Sequence, residues 1–181
     1  FERPFVLEGG GRLRDVTLAF ETWGELSERA DNAILLCHAL TGDSHASGPA
    51  GPGHPTPGWW DGLIGPGRLL DTDRWFVVCA NVLGGCQGST GPASPRPDRR
   101  VRYGSDFPLV SIRDTVRTQA RLADGLGSDR WAAVIGGSMG GMQVLEWGVM
   151  FPDRVRALVP MATCVAATAQ QIAYWSTGRR A

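Results

Sequence analysis

Residues 132–143 read AAVIGGSMGGMQ, in which one serine stands between two pairs of glycines. The apolar run WAAVI, residues 131–135, has no polar alternation and is typical of a strand buried on both faces. Residues 141–150, GMQVLEWGVM, have the composition of a helix, which Pro152 would end. This stretch therefore predicts a buried strand, a tight turn and a helix.

The glycines around Ser138 match the spacing G-x-S-x-G, with Gly136 and Gly140 at the outer positions. In such a strand-to-helix turn the serine backbone is strained, and side chains on its neighbours would collide with the adjoining strand and helix. The hydroxyl lies near the positive end of the helix, where an oxyanion is stabilised. A phosphate-binding turn is the alternative, but the P-loop lysine and the G-x-G-x-x-G pattern are missing. We interpret Ser138 as a nucleophile.

Three more apolar runs predict buried strands along the chain. They are AILLC at 33–37, WFVVCAN at 75–81 and ALVPMAT at 157–163. Between them, residues 111–127 repeat apolar side chains at helical spacing, with a capping box of Ser111 and Asp114 and a terminal glycine. The alternation of strands and helices predicts an α/β fold with a mostly parallel sheet.

The first part of the chain has different patterns. Residues 16–22, VTLAFET, alternate apolar and polar side chains, and the glycines at 9–11 mark a turn from an earlier strand at 5–7. We expect an antiparallel hairpin from these two strands. Residues 42–68 are rich in glycine and proline, and the tryptophan pair at 59–60 favours a packed surface loop over a disordered one.

Composition excludes several classes of function. The 18 basic and 18 acidic side chains of the 181 residues cancel, so no net charge attracts nucleic acid or an anionic membrane. The apolar runs are too short to span a bilayer, which favours a cytoplasmic protein. The cysteines have irregular spacing that favours reduced thiols and predicts neither a disulfide framework nor a metal site: Cys37, Cys79, Cys86 and Cys164.

A nucleophilic serine also needs oxyanion donors, usually the N–H of the next residue and one from the loop after an earlier strand. The loop 38–42 follows the strand at 33–37 and would face Ser138. We assign the two donors to the backbone N–H groups of Leu40 and Met139.

The serine further needs a base, usually a histidine oriented by a carboxylate. All three histidines, His38, His45 and His54, precede Ser138, although in this fold the acid and the histidine follow the serine. We expect His38 to brace the oxyanion loop, and a base role for His45 or His54 stays open. The triad acid and histidine are expected outside this sequence, as in the N-terminal part of a longer enzyme.

The assembled motifs resemble the homoserine O-acetyltransferases of methionine biosynthesis, particularly the actinobacterial ones, which belong to the α/β-hydrolase superfamily. Generic esterases share the serine turn but lack the other segments. The matching segments are FETWGELS at 20–27, HALTGDSH at 38–45, GPAGPGHPTPGWWDG at 48–62, NVLGGCQGSTGP at 81–92, FPLVSIRD at 107–114 and GGSMGGMQVLEW at 136–147.

The resemblance implies an α/β-hydrolase fold with an N-terminal antiparallel hairpin, incomplete at its C-terminus. Residues 1–165 would be the N-terminal part of the core and residues 166–181 the start of a helical lid. It also implies a ping-pong reaction, in which Ser138 takes acetyl from the co-substrate acetyl-CoA and passes it to the hydroxyl of L-homoserine. Leu40 and Met139 match the oxyanion donors, and Asn81 is a polar contact in the tunnel wall or a purely structural residue.

The resemblance implies neither a permanently bound cofactor nor a metal. It does imply a homodimer formed through the lid. Alternative functions on the same fold are those of a homoserine O-succinyltransferase, a serine O-acetyltransferase and a plain serine esterase. A binding module that keeps the serine turn without the triad is the non-enzymatic alternative.

Overall fold

In a computed structural model, residues 4–97 and 101–178 are described. They form a two-stranded sheet and a five-stranded sheet with helices packed against it. The strands are β1 (Phe5–Val6), β2 (Arg12–Leu13), β3 (Phe20–Trp23), β4 (Ala33–Cys37), β5 (Phe76–Ala80), β6 (Ala133–Gly137) and β7 (Leu158–Met161). The helices are α1 (Ile112–Leu126), α2 (Met139–Met150) and α3 (Ala169–Gly178), with short 3-10 turns at Gly104–Asp106 and Pro152–Arg154.

The main sheet confirms the predicted α/β architecture. Its strand order is β3-β5-β4-β6-β7, and β4 pairs in parallel with both β5 and β6. β7 continues the parallel arrangement beside β6, whereas β3 is antiparallel to β5 at the edge. Every residue of β4 and β5 is buried, which explains their unbroken apolar runs. β6 begins two residues later than predicted, and α2 begins directly after Ser138.

The predicted N-terminal hairpin exists, but the second strand assigned to it was wrong. β1 pairs antiparallel with β2, with Phe5 opposite Leu13. The turn between β1 and β2 is short, because the Leu7 N–H donates to the Gly11 carbonyl at 2.8 Å. The residues directly after the turn therefore form β2. Asp15, with φ of 52°, then turns the chain away. The later alternating segment instead supplies β3 of the main sheet.

Successive residues of β4 face opposite sides of the sheet and enter two separate cores. Leu35 packs with buried residues of both long helices, including Val116 and Trp147. Leu36 packs on the other face, where the tryptophans at 59–60 cover it. The glycine- and proline-rich loop is therefore a packed element that closes one face of the sheet.

Helix α1 has the ends that the sequence predicts. The Ser111 side chain accepts from the Asp114 N–H, the Asp114 carboxylate accepts from the Ser111 N–H, and Gly127 ends the helix with φ of 75°. Cys37 and Cys79 are buried, and burial raises the pKa of the Cys37 thiol to about 12. Among the residues described, no helix is both long and apolar enough to span a membrane.

Candidate active site

Ser138 has the strained backbone that its motif predicts. It stands at the N-cap of α2 with φ of 55° and ψ of −120°, a sparsely populated region for a residue with a side chain. An N-cap serine ordinarily accepts a hydrogen bond from the first turn of its helix, but Ser138 makes none. The residue is exposed, so its hydroxyl is available to a substrate.

Contacts with the ends of β7 and β4 hold this turn in place. The Ser138 N–H donates to the Met161 carbonyl at 3.0 Å, and the Thr163 hydroxyl donates to the Ser138 carbonyl at 2.8 Å. A Cβ on Gly136 would lie 2.8 Å from the Cys37 carbonyl oxygen, and one on Gly140 would also collide with that oxygen. The glycines thus let α2 approach the end of β4, where the oxyanion loop begins.

The two proposed oxyanion donors lie beside the same cleft. Leu40 and Met139 both line a cavity of about 740 Å³. Within residues 4–97 and 101–178, nothing accepts a hydrogen bond from either backbone N–H. The Met139 N–H is in the first turn of α2, where the helix leaves such groups without internal partners. Both amides therefore remain available as donors.

His38 braces the oxyanion loop, as the sequence predicts. Its ring is 1% exposed, and Nδ1 donates to the Ala39 carbonyl at 2.8 Å while Nε2 accepts from the Val82 N–H at 3.1 Å. Burial lowers the pKa of this imidazole, which fits a neutral ring with both nitrogens in use. His38 thereby links the loops after β4 and β5 and is not free to act as a base.

A buried network of amide side chains connects α1 and α2 to the oxyanion loop. The sequence analysis did not predict it. The Trp147 indole donates to Gln119 Oε1 at 2.8 Å, and Gln119 Nε2 donates to Gln143 Oε1 at 2.7 Å. Gln143 Nε2 then faces the carbonyls of His38 at 3.5 Å and Met139 at 3.4 Å. The sequence did contain one sign of this network, because Gln119 is a polar residue on the apolar face of the predicted helix.

Asn81 lies under the wall of the cleft. It is 1% exposed, and its side-chain amide donates to the carbonyls of Cys86 and Gln87. The Ser89 hydroxyl donates to its backbone carbonyl at 2.8 Å. This arrangement favours the structural alternative for Asn81, which shapes the segment that lines the cleft.

The other two histidines belong to a separate cluster. His45 Nδ1 lies 2.9 Å from Glu21 Oε2, and His54 Nε2 lies 3.4 Å from Glu21 Oε1. Hydrogen bonding to Glu21 raises the pKa of His45. The structure gives neither imidazole a contact with Ser138 in the described part of the chain. It brings Ser138, Leu40 and Met139 to one end of the sheet, where no histidine among the described residues is hydrogen-bonded to Ser138.

A parallel sheet with a strained serine between β6 and α2 is the architecture of a hydrolase-type fold. Residues 32–179 match the family model of the alpha/beta hydrolase fold. The chain therefore belongs to the α/β-hydrolase family.

Similar proteins with narrower descriptions are known. A homoserine O-acetyltransferase of Thermobifida fusca is 61% identical over 171 residues, which is 94% of this chain and 45% of that protein. The crystal structure of esterase E22 is 37% identical with a TM-score of 0.87, covering 96% of this chain and 50% of the other. A homoserine O-acetyltransferase structure from Bacillus anthracis is 36% identical with a TM-score of 0.78, covering 84% and 42%. The chain thus spans about half the length of the proteins it matches.

Proposed function

We propose that this chain is part of a homoserine O-acetyltransferase, which transfers acetyl from acetyl-CoA to the hydroxyl of L-homoserine in methionine biosynthesis. The 61% identity to the Thermobifida fusca enzyme carries the proposal. The strained, exposed Ser138 supports it, because an acyl transfer through an enzyme-bound ester requires such a nucleophile.

The reaction proceeds in two steps at one serine. Ser138 Oγ attacks the thioester carbonyl as its proton passes to a base, and the tetrahedral oxyanion accepts from the N–H groups of Leu40 and Met139. The C–S bond breaks, the thiolate of CoA takes a proton, and acetyl-Ser138 remains. The homoserine hydroxyl then attacks this ester, and Ser138 recovers its proton as O-acetyl-L-homoserine leaves.

The base and its acid come from a part of the protein outside these residues. His38 has both ring nitrogens hydrogen-bonded, and His45 and His54 are held by Glu21. Residues 166–178 begin a lid through which two copies of the protein pair, and residues 179–181, which the sequence assigned to the same lid, lie outside the described residues. The enzyme acts in the cytoplasm, where acetyl-CoA is a co-substrate and no cofactor stays bound.

Intact-mass spectrometry of the full-length protein tests the proposal. Mixed with acetyl-CoA and no acceptor, the protein should gain one acetyl group on Ser138 and lose it when L-homoserine is added. The Ser138→Ala variant, which keeps the fold, should gain nothing. An acetyl group that persists in Ser138→Ala, or a protein that is never acetylated, would falsify the assignment of the nucleophile.

A plain esterase is the second candidate, because the E22 structure superimposes with a TM-score of 0.87. The two functions differ in what accepts the acyl group. An esterase should hydrolyse p-nitrophenyl acetate at a rate that L-homoserine does not change, whereas a transferase should divert acetyl to homoserine. Parallel assays with succinyl-CoA and L-serine distinguish the related transferases.

A further inference from the structure

A carboxylate and two imidazoles converge outside the proposed active site. Glu21 on β3 lies 2.9 Å from His45 Nδ1 and 3.4 Å from His54 Nε2, through its two different oxygens. The three ligand-type atoms lie within 4.8 Å of one another. The two rings are stacked, with centroids 4.3 Å apart. All three side chains are partly buried, so water reaches the cluster.

Each imidazole also has an acceptor at its other nitrogen. His54 Nδ1 lies 3.3 Å from Asp43 Oδ2, and His45 Nε2 lies 3.2 Å from the Pro49 carbonyl. Asp43 is itself held, because its Oδ1 accepts from the His45 N–H at 2.8 Å. An outward N–H to a carboxylate or a carbonyl is the usual arrangement for a histidine that binds a metal with its other nitrogen.

The two rings can hold either a proton or a cation beside Glu21. A neutral imidazole has one N–H and one nitrogen lone pair. If His45 is protonated, its two N–H groups reach Glu21 and Pro49, and a neutral His54 donates its N–H to Asp43. If both rings are neutral and keep their outward N–H groups, the two remaining lone pairs face the Glu21 carboxylate. A cation between these lone pairs and the carboxylate would then replace the proton on His45.

We propose that Glu21, His45 and His54 bind one divalent cation of the Zn²⁺ type, with water completing the coordination. Zinc ligands at about 2.0–2.2 Å in a tetrahedron lie about 3.3 Å apart, close to the two nitrogen–oxygen separations here. Two imidazoles with one carboxylate suit zinc better than calcium or magnesium, which prefer oxygen ligands. The site runs against the expectation of no metal, which rested on the cysteine spacing.

The cation would tie three parts of the chain together. Glu21 belongs to the edge strand of the sheet, while His45 and His54 stand at two points of the glycine- and proline-rich loop. The small cavity beside them is lined by Thr41 and Asp43, which also line the larger cleft. A metal here would hold the segment that follows Leu40, and its binding does not depend on the proposed acyl transfer.

Metal binding by the full-length protein tests this site directly. After treatment with a chelator and dialysis, the protein is titrated with Zn²⁺ in competition with a chromophoric chelator, and Co²⁺ is used as a spectroscopic probe. We expect one Zn²⁺ per chain, a higher Tm with zinc, and a Co²⁺ spectrum without a thiolate charge-transfer band. A wild-type protein that takes up no stoichiometric Zn²⁺ would overturn the proposal and leave a protonated His45 as the partner of Glu21.

Matched variants locate the ion. His54→Gln should weaken zinc binding at least about 100-fold and abolish the zinc-dependent rise in Tm, and Asp43→Asn should weaken it about 10- to 100-fold. Cys86→Ser removes an exposed thiol outside the cluster and should bind zinc like the wild type. Binding that survives in His54→Gln, or disappears in Cys86→Ser, would place the ion elsewhere. If His54→Gln does not fold, Asp43→Asn and the Co²⁺ spectrum decide the question.

Discussion

At the scale of single residues, backbone geometry around Ser138 sets the chemistry. The strained serine is exposed, and Gly136 and Gly140 on either side of it let β4 and α2 approach each other closely. Gly136 and Gly137 are adjacent, but they differ in the space available for a Cβ atom. A Cβ on Gly136 would lie 2.6 Å from the backbone of Gly140, whereas one on Gly137 would have only the Met161 carbonyl, at 3.9 Å.

Alanine should therefore destabilise the protein at Gly136 and have little effect at Gly137. Gly136→Ala forces backbone against backbone and should lower the free energy of unfolding by about 1–3 kcal/mol or more. Gly137→Ala meets no close atom and should change it by less than about 1 kcal/mol, since alanine also restricts the unfolded chain. Urea unfolding of the two variants measures the difference, and equal losses would contradict the close approach.

His38 predicts a dependence of stability on pH. Because burial lowers its pKa from 6.5, the folded protein binds the proton less readily than the unfolded chain. Its contribution is complete above about pH 6.5 and is lost as the pH falls, by at most about 1.4 kcal/mol per pH unit. His38→Asn should be less stable than the wild type near neutral pH, and the gap should narrow on acidification. If the free energies of unfolding of the wild type and His38→Asn changed equally with pH, a buried neutral His38 would be excluded.

At the scale of elements, the two long helices are joined by side chains that also reach the oxyanion loop. Gln119 of α1 accepts from Trp147 of α2 and donates to Gln143, whose amide faces the His38 and Met139 carbonyls. All three side chains are at most 1% exposed. The contacts align the loop that holds Leu40 with the helix that holds Met139, so Gln143 is a positioning residue.

Gln143→Met keeps the approximate size of the side chain and removes its polar groups. The proposed oxyanion donors should move slightly, and the rate of the proposed acetylation of Ser138 should fall about 10- to 100-fold with little change in KM for acetyl-CoA. Val144→Ala is the matched control, because it opens a cavity in the same helix and removes no hydrogen-bonding side chain. Rapid-mixing mass spectrometry gives the rate. A Val144→Ala protein as slow as Gln143→Met would assign the effect to lost stability alone.

At the scale of the whole molecule, the sheet is exposed at β7. Within the described ranges, β7 has a neighbouring strand on one side only. Leu158 is 38% and Val159 40% exposed, and α3 contributes no buried residue. An unpaired edge strand with apolar side chains is a surface that other chains can join.

A polypeptide of these 181 residues alone should therefore associate with itself and bind the dye ANS. The exposed edge of β7 is the physical reason, and Val159→Lys should reduce both effects because a charge on an edge strand opposes pairing. Light scattering and dye fluorescence, compared with those of the full-length protein, measure the outcome. A monodisperse fragment that binds no dye would contradict it.

The sequence by itself determined the features whose signals lie within a few residues of each other. The G-x-S-x-G turn, the capping box of α1 and the buried runs of β4 and β5 follow from local sterics, local hydrogen bonds and burial. The placement of Ser138, Leu40 and Met139 at one end of the sheet could be predicted for the same reason. They sit at the carboxyl ends of adjacent parallel strands, where loops of one sheet meet.

Only the tertiary structure decided which distant segments meet. The strand at Phe20–Trp23 has the same alternation whether it pairs with β1, as predicted, or with β5, and packing against the main sheet selected β5. The contacts between Gln119 and Gln143, and of Glu21 with His45 and His54, join side chains on different elements. No local sequence pattern predicts these contacts between distant side chains. They form when separate helices and strands bury their apolar faces against each other, which also places their polar side chains close together.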